Sequence, residues 1–398
     1  MKYVFFTHVK SLEGARENVR CLLLDDRYAR LHSVTMRKPR QSDGAGRTAH
    51  QTMNLKKLAE HLQLSPATVS LVINRSTVAD SIPQETKDRI FAAARKFKYR
   101  PSFFARSLRA QRSFTIGVMV PEVSDGYSAT VMSGIEDYLL REGYFYLVAS
   151  HRHRADLIDE YPRLFLERSV DGVIAVDTPW NLALSVPVVT VSGHDDVRGV
   201  TNIMLNHQRA AELALKHLFQ LGHRQVAFIK GQEFSSDTEV RWATIEKAAH
   251  QLGLSISAKL VVRLEEDSPS PRVGVKATRK LLASGRSFTA LFAFNDMSAI
   301  GAMQALRDAG LSVPHDVSVV GFDDIQNAAF QNPGLTTVRQ PLREMGRTAA
   351  EILLKRIHRP GWGLRDTYTV EPELIVREST GAVLAGRRVA RKHKSPHK

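Results

Sequence analysis

Residues 53–74 read MNLKKLAEHLQLSPATVSLVIN, a stretch that parses as two short helices joined by a tight turn. Leu55, Leu58, Ala59 and Leu62 recur at helical spacing on one face. Ser65 followed by Pro66 marks the second start. The hydroxyl can cap a free N–H, and proline at the first helical position forfeits no hydrogen bond. Over 66–74 the spacing turns Val69, Val72 and Ile73 inward and leaves Ala67, Thr68, Ser70 and Leu71 outside. A small, smooth outer face of this kind fits a DNA major groove. A helix pair that merely closes a small bundle has the same pattern, so the surrounding chain must decide.

Working outward, Ser81-Ile82-Pro83 opens a third helix with an apolar stripe of Ile90, Phe91, Ala93, Ala94 and Phe97. Lys87, Arg89, Arg95, Lys96 and Lys98 line its polar side, and Pro101 stops it. SFFARSLR at 102–109 is helix-length but too short to be stable alone. Charge separates these segments from the rest. Residues 53–112 carry twelve basic against four acidic residues, and 383–398 carry six basic and none acidic. Residues 113–382 hold 28 basic against 32 acidic. A basic module attached to an acidic body is what phosphate recognition requires. The tail at 383–398 reads equally well as a solvated basic end.

From Phe114 on, strand-like runs alternate with amphipathic stretches. The runs are FTIGVMV, YFYLVAS, VDGVIAV, VPVVTVS, QVAFIKG, LVVRL, TALFAFN and VSVVGFD. Helical stretches at 129–142, 206–221, 238–252, 273–284 and 297–309 lie between most of them. Apolar strands alternating with helices imply parallel sheets covered on both faces, and the number of units implies two similar subdomains. Ligands bind beyond the carboxyl ends of such strands, which points to loops 121–127, 192–195, 231–236 and 295–296.

The composition is that of a globular protein, with 43% hydrophobic and 24% charged residues over 398. No apolar run is long enough for a membrane span, and the N-terminus makes a poor signal peptide. A single cysteine, Cys21, excludes an internal disulfide framework, so a cytoplasmic location is expected. No G-x-G-x-x-G, Walker A or G-x-S-x-G pattern occurs. His151-Arg152-His153 lacks a partner pair at ligand spacing, and Asp323-Asp324 lacks a nucleophile. No enzyme activity, cofactor or metal is therefore expected.

Several motifs together carry a family resemblance. LKKLAEHLQLSPATVSLVIN at 55–74 resembles the headpiece of the lactose-repressor (LacI/GalR) family of bacterial transcription regulators. ARSLR at 105–109 is similar to that family's hinge helix. HLFQLGHRQVAFIKG at 217–231, FNDMSAIGAMQALRDAGLSVPHDVSVVGFDDI at 294–325 and PGLTTVRQP at 333–341 resemble its effector-binding domain, which is similar to periplasmic sugar-binding proteins. The resemblance covers 53–380. It implies a multi-domain chain: an all-α helix-turn-helix headpiece at 53–101, a hinge at 102–113, and a two-lobed α/β effector and dimerisation domain at 114–382. Residues 1–52 are then an N-terminal extension, with Met53 expected as the natural start, and 383–398 a basic tail.

By the same resemblance Pro66, Ala67 and Leu71 occupy base-reading positions, and Ser65, Thr68 and Asn74 are placed for backbone phosphate. Leu71 departs from the arginine common in the family; it cannot fork onto guanine but can touch a thymine methyl. Ala105, Leu108 and Arg109 are implied as the minor-groove element, where a leucine wedge bends the duplex. Asp125, Tyr127, His194, Arg241 and Asp296 are the implied effector contacts. Thr244 and Leu205 stand where the family often has glycine and aspartate, so no particular member's effector transfers. The implied function is a sequence-specific regulator, a repressor, binding a pseudo-palindromic double-stranded DNA operator as a homodimer. A small molecule such as a sugar, nucleoside or related metabolite would control it. The alternative is a small-molecule (sugar) binding protein without DNA function, which the basic 53–112 segment opposes. If Met53 is the start, the intact mass of natively expressed protein will lack residues 1–52; a mass that includes them overturns this expectation.

Overall fold

The structure is a computed structural model that describes residues 53–74, 76–99, 107, 110–194, 197–361 and 365–383. The chain separates into two compact units that meet between Arg100 and Pro101. In the first, α1 (Leu55–Leu62) and α2 (Pro66–Ile73) are followed by a 3-10 turn at Thr77–Ser81 and by α3 (Gln84–Lys96). Asn54 caps α1 by accepting from Lys57 N at 2.9 Å, and Gln63 ends it in the left-handed region at φ 56°. Ser65 caps α2 by accepting from Thr68 N at 3.0 Å, which is worth about 1 kcal/mol. Leu58, Ala59, Leu62, Val69, Val72, Ala79, Ile90 and Ala93 close a single small core.

One expectation here is corrected. Ser70 is buried rather than outward, 5% exposed, and Asn74 Nδ2 donates to its carbonyl at 2.8 Å. Ile73 is only partly buried. On so short a helix α1 and α3 pack against α2 from both sides, so a small residue beside Val69 is covered as well.

The second unit contains two sheets. In lobe 1 the strands are β1 (Thr115–Val120), β2 (Phe145–Ser150), β3 (Gly172–Val176), β4 (Val188–Val191), β5 (Val200–Leu205) and β11 (Thr367–Val370), ordered β11-β5-β4-β3-β1-β2 and all parallel. In lobe 2 they are β6 (Val226–Lys230), β7 (Val261–Arg263), β8 (Ala290–Ala293), β9 (Ser318–Asp323), β10 (Thr336–Arg339) and β12 (Glu373–Ile375), ordered β12-β10-β9-β8-β6-β7. Only β12 is antiparallel there. The two orders are the same doubly wound pattern, so each lobe offers a crevice where the strand order reverses.

Helices cover both faces of each sheet. Those of lobe 1 are α4 (Gly126–Arg141), α5 (Ala155–Glu167) and α11 (Leu342–His358). Lobe 2 has α6 (His207–Gln220), α7 (Asp237–Gln251), α8 (Arg272–Ala283), α9 (Asp296–Asp308) and the single turn α10 (Gln326–Ala329). Along β1, Ile116, Val118 and Val120 pack with α4 and α11, whereas Met119 joins Phe165 of α5 on the opposite face. That is why these strands read as continuous apolar runs. Residues 155–167, which carry Pro162, were not anticipated as helical; α5 tolerates the proline, which is itself buried. Strands β5, β10, β11 and β12 were also not anticipated, being short, polar-interrupted or half-exposed.

The chain passes between lobes after β5, between β10 and α11, and again between β11 and β12. Close helix contacts tighten each lobe. A Cβ on Gly134 would lie 1.9 Å from Arg343 O, and one on Gly346 would lie 2.0 Å from Val131 O, so α4 and α11 touch backbone to backbone. Gly274 and Gly301 make the equivalent close approach between α8 and α9. Gly346→Val will force α11 off α4 and destabilise the second unit by about 1–3 kcal/mol in a denaturant titration. An unchanged midpoint would show that the crossing can relax at no cost.

Candidate functional site

On the headpiece, the start of α2 is the exposed feature. Pro66 and Ala67 are fully outward, Thr68 and Leu71 half-buried, and Asn74 exposed. Ser65 Oγ and Thr68 Oγ1 sit 2.8 Å apart, so the two hydroxyls implied as phosphate partners already share one hydrogen bond. Leu71 leans on the headpiece core, which leaves only part of its side chain to face outward. Arg89, Arg95, Lys96 and Lys98 are exposed on and after α3. Ala105, Leu108 and Arg109 lie outside the described residues. The chain that follows them is fixed to lobe 1: Arg112 donates to Ile357 O at 2.8 Å, and Ser113 N and Phe114 N donate to the Asp171 carboxylate.

In the second unit the carboxyl ends of the strands from both lobes converge on one cleft. Three strand ends there hold non-glycine residues at positive φ: Asp177 after β3 (41°), Ser192 after β4 (57°) and Asp323 on β9 (111°). Strained backbone of this kind persists only where the surroundings over-determine it, and it concentrates at binding sites. Asp237, the first residue of α7, is the centre of the polar network. Its Oδ2 accepts from Arg241 Nη2 at 2.5 Å, and its Oδ1 lies 2.6 Å from His194 Nε2. His194 belongs to lobe 1, so this bond spans the cleft. Beside it Ser236 Oγ donates to Asp177 at 2.9 Å and reaches the carbonyl of Ser192 at 3.1 Å, and His153 meets Asp267 at 3.2 Å.

Each sequence-implied effector residue can now be placed. Tyr127 is buried, with its hydroxyl 2.7 Å from Ser192 Oγ; burial, with Asp237 and Asp177 nearby, holds the phenol protonated. Asp125 caps α4 by accepting from Ser128 N at 3.4 Å, and burial raises its carboxyl. Arg241 is 4% exposed; its guanidinium lies over Phe322 at 3.8 Å and Phe294 at 4.5 Å, and Nη1 donates to Phe294 O. Asp296 is fully buried, and lobe 2 itself supplies its partners, Thr337 Oγ1 at 2.6 Å and Ile325 N at 2.9 Å. His194 is the one that bridges lobes. The structure thus groups Tyr127, His194 and Arg241 around the network and sets Asp296 deeper, next to Asp323.

Sequence reasoning passed over Asp177, His207 and Asp237, and set Asp323 aside as lacking a nucleophile. Asp177 and Asp323 each end an apolar strand run, a signal that was present for both. Nothing local marks His207 or Asp237 at helix starts. The carboxyls differ sharply. Burial pushes Asp177 up to about 7, with Asp237 adding repulsion, and pushes Asp296 up to about 7. Burial also raises Asp323 well above the usual range. Asp237 feels the same burial, yet Arg241, His194 and His207 outweigh it and hold it well below the usual carboxylate range.

With this geometry in place, known proteins add a decisive comparison. The family model for bacterial regulatory proteins, lacI family, matches residues 54–102, and that for a periplasmic binding protein-like domain matches 215–380. The chain is 32% identical to the HTH-type transcriptional repressor PurR of Aliivibrio fischeri strain MJ11, over 82% of this chain and 97% of the relative. The chain belongs to the lacI family of bacterial regulatory proteins. It is 30% identical to the ribose operon repressor of Haemophilus influenzae, over 82% and 98% of the two chains. Among solved structures, the lac repressor dimer bound to operator and the anti-inducer ONPF is similar at TM-score 0.73 and 26% identity, covering 83% of this chain and all of that one. A regulator from Enterococcus faecium with bound ribose aligns at TM-score 0.60 and 26% identity, over 68% of this chain and all of that one. The chain is therefore a DNA-binding regulator with an effector-binding domain, and not an enzyme. Among the described residues no helix is long and apolar enough to cross a membrane.

The raised carboxyls make stability depend on pH. Asp177 and Asp296 ionise at about 7 in the fold but at 3.8 when exposed, so between those values the folded chain holds the extra protons. Stability then falls as pH rises. His151, which burial lowers to about 4, works in the opposite direction below its ordinary value of 6.5. The effector unit will therefore gain melting temperature as pH drops from about 8 to about 6.5, and Asp296→Asn will flatten that slope. A flat profile in the parent protein would contradict the raised values.

Proposed function

We propose that this regulator is a repressor that binds a pseudo-palindromic operator as a homodimer and is released or engaged by a small polar metabolite. In this reading residues 53–101 are the DNA-binding headpiece, 102–113 the hinge, 114–382 the effector and dimerisation domain, and 383–398 a basic tail. The observation that carries the reading is the presence in one chain of a capped α2 with Pro66 and Ala67 exposed and a two-lobed domain whose lobes are joined across a cleft. The curated relatives named above are repressors.

Pro66, Ala67 and Leu71 read base edges; Ser65, Thr68 and Asn74 bind phosphate. The reading surface is apolar, so operator choice leans on thymine methyls, backbone fit and the hinge. Ala105, Leu108 and Arg109 form the minor-groove element with the partner's copy. Exposed Phe145 and Val148 on the edge strand β2, with Leu140 on α4, support self-association, since an apolar sheet edge invites a partner.

The effector class is a hydroxyl-rich ring compound such as a sugar or nucleoside. The face of Tyr127 and the aromatic bed under Arg241 suit a ring, and Asp125, Asp177 and Asp323 suit hydroxyl donors. The related Enterococcus faecium regulator holds ribose. A ligand that binds the joined and separated lobes unequally shifts their balance, and by linkage the DNA shifts the ligand's affinity by the same factor.

Selection of sites from random duplex DNA will return a two-fold symmetric motif. No enrichment, with and without a metabolite mixture, would sink the proposal. Leu108→Ala will weaken specific binding more than non-specific binding, by about 10-fold or more if the wedge anchors a bent operator. Equal losses would remove the wedge role.

A further inference from the structure

The network around Asp237 contains a group that hydrogen bonding leaves unexplained. His207, the first residue of α6, is 95% buried, and neither ring nitrogen has a hydrogen-bond partner. Its Nε2 lies 3.6 Å from Asp237 Oδ1, too far for a hydrogen bond. His194 Nδ1 is likewise buried and unpartnered. Buried polar atoms without partners are rare, and an ion or water at the spot is a standard reason for them. One ligand atom from each of His194, His207 and Asp237 lies within 4.8 Å of the other two.

From this we propose that His194, His207 and Asp237 form a binding site for a divalent transition-metal ion of the zinc class, which clamps lobe 1 to lobe 2. Two imidazoles and one carboxylate are a nitrogen-rich donor set that suits Zn2+, Co2+ or Ni2+ rather than Mg2+ or Ca2+. Tetrahedral coordination at about 2.0–2.1 Å places neighbouring ligand atoms roughly 3.3 Å apart. The observed separations from Asp237 Oδ1, 2.6 Å to His194 and 3.6 Å to His207, bracket that value. The two histidine ligand atoms lie no more than 4.8 Å apart, so a shift of at most about 1.5 Å brings all three onto one ion.

Orientation points the same way. Asp125, Asp177 and Asp323 face the same interior, and Arg241 is the guanidinium set against them. Arg241 grips Asp237 Oδ2 and leaves Oδ1 turned toward the histidines, the orienting role that a neighbour to a metal ligand performs. Three protein ligands leave a fourth position open, which a hydroxyl of the effector or a water can take. His151 Nε2 meets Thr178 and His153 Nδ1 meets Asp267; His153 Nε2 is also without a partner, but among the described residues no three-ligand group forms around that pair.

The site joins residues from both lobes, so metal occupancy adds to whatever holds the cleft together. It is independent of the repressor reading: site selection carried out in a chelator tests DNA recognition with no metal present. The experiment titrates Co2+ into full-length protein carrying His393→Ala and His397→Ala, which removes the histidines of the tail. One equivalent is expected to give a visible d–d band, raise the melting temperature, and be displaced by Zn2+. His194→Gln and His207→Gln will each weaken Co2+ at least about 10-fold; His250→Gln and His315→Gln will not. No saturable band in the parent protein overturns the proposal, as does a band that survives in the His194→Gln/His207→Gln double variant. Should either variant fail to fold, the parent titration still decides between a site and none.

Discussion

The second unit depends on one buried carboxylate. Asp237 is removed from water, which by itself would favour its neutral form, yet it stays ionised because Arg241 and His194 close on its two oxygens. Breaking a buried pair by removing one partner costs about 3–5 kcal/mol, because a bare charge is left behind. One partner belongs to the same helix and the other to the opposite lobe. The electrostatic need of a single residue therefore becomes a mechanical link across the cleft.

Everything that positions this link comes from repetition of one sheet plan. Both lobes wind their first five strands in the same order, and both bring strand ends to the same opening. Residues at those ends, Asp177, Ser192 and Asp323, adopt positive φ, and Asp177 accepts from Ser236 of the opposite lobe. Behind them, backbone-to-backbone helix contacts at Gly134–Gly346 and Gly274–Gly301 make each lobe a stiff body. Stiff bodies joined by three chain passages move as units. A small change between His194 and Asp237 then has no local way to dissipate, which is the property a ligand-controlled regulator requires.

The headpiece follows a different economy. Its core is eight residues, and it depends on capping by Asn54 and Ser65 to satisfy helix ends that packing leaves open. The surface it presents is small and nearly free of charge at α2, with basic residues on α1 (Lys56, Lys57) and on and after α3. The smooth apolar surface and most of the exposed charge thus sit on different helices of the headpiece.

Much of this was legible in the chain. Periodicity and capping residues gave α1, α2 and α3, apolar runs gave eight of the strands, and the amphipathic stretches between them gave most of the helices, since each signal is local. Motifs in two unlike domains gave the family. Other features were not readable: Ser70 as an inward residue, α5 through Pro162, the polar strand β5, and the short strands β10, β11 and β12. Each is fixed by what packs against it rather than by its own propensity. The cleft divides along the same line. Sequence determined that Tyr127, Arg241 and His194 lie on cleft loops or helices. Only the tertiary structure decided that Asp237 joins them, that His207 stands unpartnered beside it, and that Asp296 turns into lobe 2. Those residues are far apart in the chain and meet only because two separate sheets point their strand ends at each other; no pattern along a single element encodes a contact between two.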